Sequence, residues 1–180
     1  MALIAKEEKT YEPIPTGMQQ AVCAMVCDIG THEGTYEGRP NVRHQIVVIW
    51  EMEEKGHDGK TFLASKFYTL SLGEKANLRK DLESWRGRPF TADELHGFDL
   101  ENLVGANCFL NIVENDGKTK IAAITPLPKN MPKIKQGLLQ EPEWVGKMRA
   151  KSIEATGKKP AAHGVNSAGV LPQTEDELPF

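Results

Sequence analysis

The chain has 180 residues, a net charge of −3, and apolar (39%) and charged (26%) shares that suit one ordinary domain with or without a tail. No apolar run approaches the ~20 residues that cross a bilayer. Met1 to Thr10 has no basic region followed by a long apolar stretch, so no signal peptide is expected and the expected location is the cytoplasm. The negative balance excludes a protein that coats duplex DNA by bulk charge. A nucleic-acid site would have to be a local basic groove. Three cysteines, Cys23, Cys27 and Cys108, suit a reducing compartment. Cys23 and Cys27 stand four apart on an expected strand, hence on one face. No fourth ligand at metal-site spacing joins them, so they read as small core residues, with no metal and no cofactor.

In chain order, residues 1–15 are polar, hold Pro13 and Pro15, and read as a flexible arm. Gly17 to Ile29 reads as a long first strand. Gly30 to Asn41, with Gly30, Gly34, Gly38 and Pro40, reads as a loop. From Arg43 to Met52 the chain alternates as a strand, with Ile46, Val48, Trp50 and Met52 on one side. His57-Asp58-Gly59-Lys60 turns it, and Thr61 to Leu70 is the third strand. Ser71 and Glu74 then have capping-box spacing, and Leu78, Leu82 and Trp85 form one helical stripe that Gly87 ends. Thr91 with Glu94 is a second capping box, and Leu95, Phe98, Leu100 and Leu103 are suited to plug the end of a barrel. Asn107 to Val113 and Lys118 to Thr125 are two more strands. Asn115-Asp116-Gly117 joins them, because Asp-Gly supplies the positive φ angles of a tight turn.

The expected class is therefore all-β with one main helix. The order β-β-β-α-β-β over residues 16–128 predicts an OB-fold, a five-stranded barrel with its helix between the third and fourth strands. Residues 129–145 keep Met131, Ile134, Leu138, Trp144 and Val145 and read as an extension that packs back on the barrel. Residues 146–172, dominated by Gly, Ala, Lys, Ser and Pro, read as a disordered linker. Residues 173–180 form a short acidic end.

No phosphate loop, nucleophile elbow, His-Glu-x-x-His or zinc-finger spacing occurs, so an enzyme is not expected. Glu51-Met52-Glu53-Glu54 reads as a solvated strand end. Alternation along the third strand groups Phe62, Ala64, Lys66 and Tyr68 on one side. Rings beside a cation are what an unpaired strand needs, since bases stack while ammonium groups follow the phosphates. Tyr36, Arg39 and Arg43, entering the second strand, and Lys118 and Lys120, after the last hairpin, flank the expected groove. Arg86 and Arg88 lie just beyond the helix and are freer to reach a phosphate than Arg79 and Lys80. The alternative is that Phe62 and Tyr68 fill the core while the charges solvate edges.

The stretch Tyr68-Thr-Leu-Ser-Leu-Gly-Glu-Lys-Ala-Asn-Leu-Arg-Lys-Asp-Leu-Glu-Ser-Trp-Arg-Gly-Arg88, with Phe98-Asp-Leu-Glu-Asn-Leu-Val-Gly105, resembles a group of phage and prophage OB-fold single-stranded DNA-binding proteins. The end, Glu175-Asp176-Glu177-Leu178-Pro179-Phe180, resembles the acidic tip of bacterial single-stranded DNA-binding proteins, Asp-Asp-Asp-Ile-Pro-Phe. It departs in carboxylate length and in Leu for Ile. In that family the tip docks on replication, recombination and repair enzymes and seats its final Phe beside basic residues. The resemblance thus implies two partners, single-stranded DNA and a tip-docking protein, and no membrane. The rest of the chain differs from the bacterial proteins, so their tetramer is not carried over, and a homo-oligomer stays open. An OB-fold adaptor that diverts host repair enzymes through the tip, without holding DNA, is the competing reading.

Overall fold

Long runs of β-branched and aromatic residues carry the first part of the chain into three antiparallel strands. The computed structural model describes residues 11–138 and 140–157. Strands β1 (Gly17–Tyr36), β2 (Arg39–Lys55) and β3 (Thr61–Thr69) form a meander. Helices α1 (Asn77–Arg86) and α2 (Ala92–His96) and a 3-10 turn (Leu100–Leu103) follow. Strands β4 (Asn107–Asn115) and β5 (Lys118–Pro126) form the second hairpin. Helices α3 (Glu143–Ala150) and α4 (Ile153–Thr156) end the described chain.

The five strands make one antiparallel sheet in the order β3-β2-β1-β4-β5. Its two edge strands, β3 and β5, touch without a ladder between them. The sheet is therefore open where a closed barrel was expected. Helix α1 packs against both β5 and β3, so a helix supplies packing where a closed barrel would continue its ladder.

The loop expected at Gly30 to Asn41 is instead the outer half of a long β1-β2 hairpin. Tyr36 pairs with Arg39 across Glu37 and Gly38, both at positive φ (46° and 74°), as a two-residue turn requires. Gly30, at φ 81°, does not break the strand; it accompanies a register shift between Asp28 and Gly30. A second shift lies between Cys23 and Met25. The extra residue there reverses the alternation. Ala21 and Cys23 enter the inner core, whereas Cys27 and Ile29 enter a second core on the opposite face. The expectation that Cys23 and Cys27 share a face is corrected accordingly.

The inner core collects side chains from all five strands, among them Trp50, Tyr68, Leu110 and Ile124, and the α1 stripe Leu78, Leu82 and Trp85. Trp85 donates its indole N–H to the Asn107 carbonyl (3.0 Å), and Ser84 its hydroxyl to the Ile124 carbonyl (2.6 Å). The Ser71–Glu74 capping box does not form: Ser71 Oγ accepts from the Gly73 N–H (3.1 Å), a local turn that competes with helix, and α1 starts at Asn77. The Thr91–Glu94 box forms as expected.

The described parts of the arm and of the expected linker, residues 11–15 and 146–157, are more ordered than the composition predicts. In the arm, the Glu12 carboxylate accepts from the His57 N–H (2.8 Å) and Ile14 packs on the inner core. Residues 146–157, placed in the linker, instead complete α3 and form α4. Val145 is fully buried, and Ser152 is buried against Gly30. Met148 on the second core beside Val145, buried Ser152 and a few polar anchors hold this segment, too sparse a pattern for composition to reveal.

Candidate nucleic-acid interface

The ring-and-cation set on β3 points inward. Tyr68 is 3% exposed and lies in the inner core; its hydroxyl donates to Asp81 Oδ2 (2.7 Å). Lys66 Nζ sits 2.9 Å from the same carboxylate oxygen and 5.6 Å from the Tyr68 ring centroid. Phe62 is half-buried against the inner core and helps line a shallow pocket with Glu12 and His57. Ala64 is buried. These four residues do share a face, as alternation requires, but it is the face that α1 and the sheet enclose. The Lys66–Asp81–Tyr68 cluster ties β3 to α1, and it is not a stacking surface.

The remaining cations are scattered in role. Arg86 lies over the Phe90 ring (4.4 Å) and the Phe98 ring (5.5 Å) and pairs with Glu94 at 2.6 Å. The Glu94 carboxyl is held down to about 2, by the Thr91 N–H and then by Arg86. Arg86 thus clamps α1 to α2, and Arg88, more exposed, stands 3.5 Å from Glu94. Arg43 is 8% exposed, opposite His32, not at an open groove rim. Arg39, Lys118 and Lys120 are exposed, and Tyr36 is half-buried with its hydroxyl donating to Glu37 (2.9 Å). The register sets Tyr36 and Arg39 beyond one end of β1 and the Lys118 hairpin beyond the other, since Gly17 pairs with Ile112. The residues expected to form one groove are therefore not all brought together. Glu175, Asp176, Glu177, Leu178, Pro179 and Phe180 lie outside the described residues.

Sequence reasoning missed the residues that organise the outer face of β1, β2 and β3. Glu51, read as a solvated strand end, is buried. Its carboxylate accepts from the N–H groups of Gly137 and Leu138 and from the Thr61 hydroxyl. Burial would raise its pKa, but these hydrogen bonds outweigh burial and leave it lowered. Asn107 exchanges two hydrogen bonds with the Ile134 backbone, at 2.9 and 3.0 Å, and Gln20 donates to the Pro132 carbonyl (2.7 Å). Beyond them α3 covers Cys27, Ile29, Val47, Ile49 and Phe67 with Val145. Arg149 donates to the Asp28 carbonyl (2.8 Å) and forks onto Glu141 (2.8 and 2.9 Å). Glu154 accepts from the Thr31 N–H (3.0 Å). The sequence signal for this layer was the apolar content of residues 129–145, read as an extension that packs back, and Val145 and Leu138 do pack on the sheet. Apolar β2 and β3 residues on both faces also imply cover on both sides.

Trp144 is the aromatic this layer leaves in solvent. It is 37% exposed and its ring meets Phe67 at 5.9 Å between centroids, tilted by 51°. Among the described residues no cluster of three or more His, Cys, Asp or Glu is placed to hold a metal ion, and no helix is long and apolar enough to cross a membrane. No protein-family model matches the chain, and no curated protein matches it.

Proposed function

We propose that this protein is a non-enzymatic single-stranded DNA-binding protein of the OB type that recruits a second protein through residues 175–180. One observation carries the DNA half: the strand order β3-β2-β1-β4-β5 with its edge strands in contact, and α1 between β3 and β4. Hydrogen-bonding those two edges to each other would give the five-stranded OB ring, which binds oligonucleotides on its strand 2–3 face and on the loops after strands 1 and 4. Here α3 covers that face at Val47 and Phe67, which leaves the loop ends. The exposed side chains of Arg39 and Lys120 would follow a phosphate backbone there. The recruiting half rests on the resemblance of Glu175 to Phe180 to the bacterial tip. A terminal Phe ring contributes about 1.5–3 kcal/mol on burial. Charge-assisted hydrogen bonds to the acids add about 1.5–3 kcal/mol, against an association cost that leaves the contact weak and exchangeable.

The test is a titration of the full chain with oligo(dT) at several salt concentrations. Binding at low salt, falling as salt rises because counterions are released, is the expected result; no binding at low salt rejects the reading. Deleting residues 175–180 is expected to leave DNA affinity equal or higher, because an acidic end competes with phosphates for cations. A marked loss of affinity would contradict that role. The burial of Tyr68 and Arg43 favours a second reading, the adaptor that holds a repair enzyme by the tip and no DNA. Tip-dependent capture of such an enzyme without retention of oligo(dT) would select it.

A further inference from the structure

Trp144 leans from α3 onto Phe67 of edge strand β3 and is exposed, as is Leu63, four residues before Phe67 on the same face. Two buried polar atoms lie in the same corner. Thr69 stands two residues from Phe67, on the same face, and Gln45 pairs directly across from it. Gln45 is 4% exposed, and neither its Oε1 nor Thr69 Oγ1 has a hydrogen-bond partner among the described residues. Both atoms are closed to solvent, so the accessible feature of this corner is the face of the Trp144 ring, which suits a flat ligand. One turn along α3, Lys147 is exposed and pairs with Glu143 at 2.7 Å, a pair that solvent weakens. Lys151 lies at i+7 from Trp144, on the same side of the helix, and is also exposed.

We propose that Trp144, backed by Phe67, is a stacking subsite for one unpaired nucleobase, with the adjoining phosphates drawn toward Lys147 and Lys151. This subsite presupposes the single-strand reading above and adds its location: the ring comes from the C-terminal helix, not from the sheet. A base on Trp144 covers exposed ring.

Tryptophan emission makes the experiment specific, because Trp50 and Trp85 are buried and Trp144 is not. The full chain and its Trp144→Leu and Trp144→Phe variants are titrated with oligo(dT), with melting and sedimentation of each recorded. Leu keeps apolar packing on Phe67 but removes the π-face; Phe keeps both in part. The expected result is quenching in the native chain, about tenfold weaker binding for Trp144→Leu, and at most about threefold weaker for Trp144→Phe with the quenching abolished. Native-like affinity in a folded Trp144→Leu variant overturns the subsite and leaves the DNA reading standing. So does unchanged quenching in Trp144→Phe. Loss of a dimer in Trp144→Leu, with DNA affinity kept, assigns the patch to a second copy of the chain and overturns the subsite. Absence of any binding by the native chain removes the reading itself.

Discussion

The two faces of the sheet are held by different physics. Inside, side chains from all five strands and α1 meet in one apolar cluster centred on Trp50, Leu82 and Trp85. Outside, the cover is a late stretch of chain that contributes one fully buried apolar residue, Val145, with Leu138, Met148 and Trp144 partly buried beside it, and much of its attachment is through carboxylates, amides and a guanidinium. Burial of apolar area is indifferent to salt and to mild acid, whereas charge-assisted hydrogen bonds are not. The inner layer should therefore set global stability, and the outer layer should open separately and more easily.

The largest effect that tests this contrast belongs inside. Leu82→Ala is expected to lower global stability by about 2–5 kcal/mol, read as a shift in the urea midpoint with an unchanged slope. Gly30→Ala comes next, at about 1–2 kcal/mol for a left-handed backbone angle. A Cβ there would also lie 2.6 Å from Ser152 Cβ, so amide exchange in α4 should accelerate while Leu82 and Trp85 stay protected. Glu51→Gln keeps the shape and removes the charge, for about 1 kcal/mol. Its signature is faster exchange at Gly137 and Leu138 with a near-native global midpoint, and a matching fall in global stability would erase the contrast.

Acid should give the smallest and most selective effect. Glu51, Glu141 and Glu154 all have lowered pKa values: Glu51 by hydrogen bonds that outweigh its burial, Glu141 by Arg149, and Glu154, down to about 2, by Thr31. A carboxylate lowered on folding adds stability above its unfolded value and loses it as pH falls through the folded one. The outer layer should thus loosen as pH drops from the ordinary value of 4.5 toward about 2. Trp144 emission should change over that window before the near-ultraviolet dichroism of the Trp50–Trp85 pair does. Simultaneous loss of both signals would show one cooperative unit.

Much of the architecture was legible because it is periodic. The β2 alternation, the Leu78-Leu82-Trp85 stripe, the Thr91–Glu94 box and the Asp116-Gly117 turn each state a local preference that the fold keeps. The candidate site was not legible, for a reason visible on β3. Alternation groups Phe62 with Tyr68 and Leu63 with Phe67, but both groups are apolar, so nothing local says which one faces the interior. Asp81, thirteen residues after Tyr68, decides it by drawing Lys66 and Tyr68 under α1. The outer anchors were hidden more deeply. Glu51 meets Gly137 across 86 positions, and no pattern in either segment announces the other.

The register shift after Cys23 has a practical consequence for thiol chemistry. Four residues of strand, roughly 13 Å, already keep Cys23 and Cys27 from bridging, and the shift further places them in different cores. Burial pushes the Cys23 thiol up to about 12 and the Cys27 thiol up to about 11, and Cys108 is raised as well. All three are therefore slow to alkylate in the native state. They differ in what shields them: Cys27 sits beneath α3, and Cys23 and Cys108 sit within the inner core. A single strand thus carries two natural clocks, and modification of Cys27 ahead of Cys23 would time the lifting of one layer against the melting of the whole.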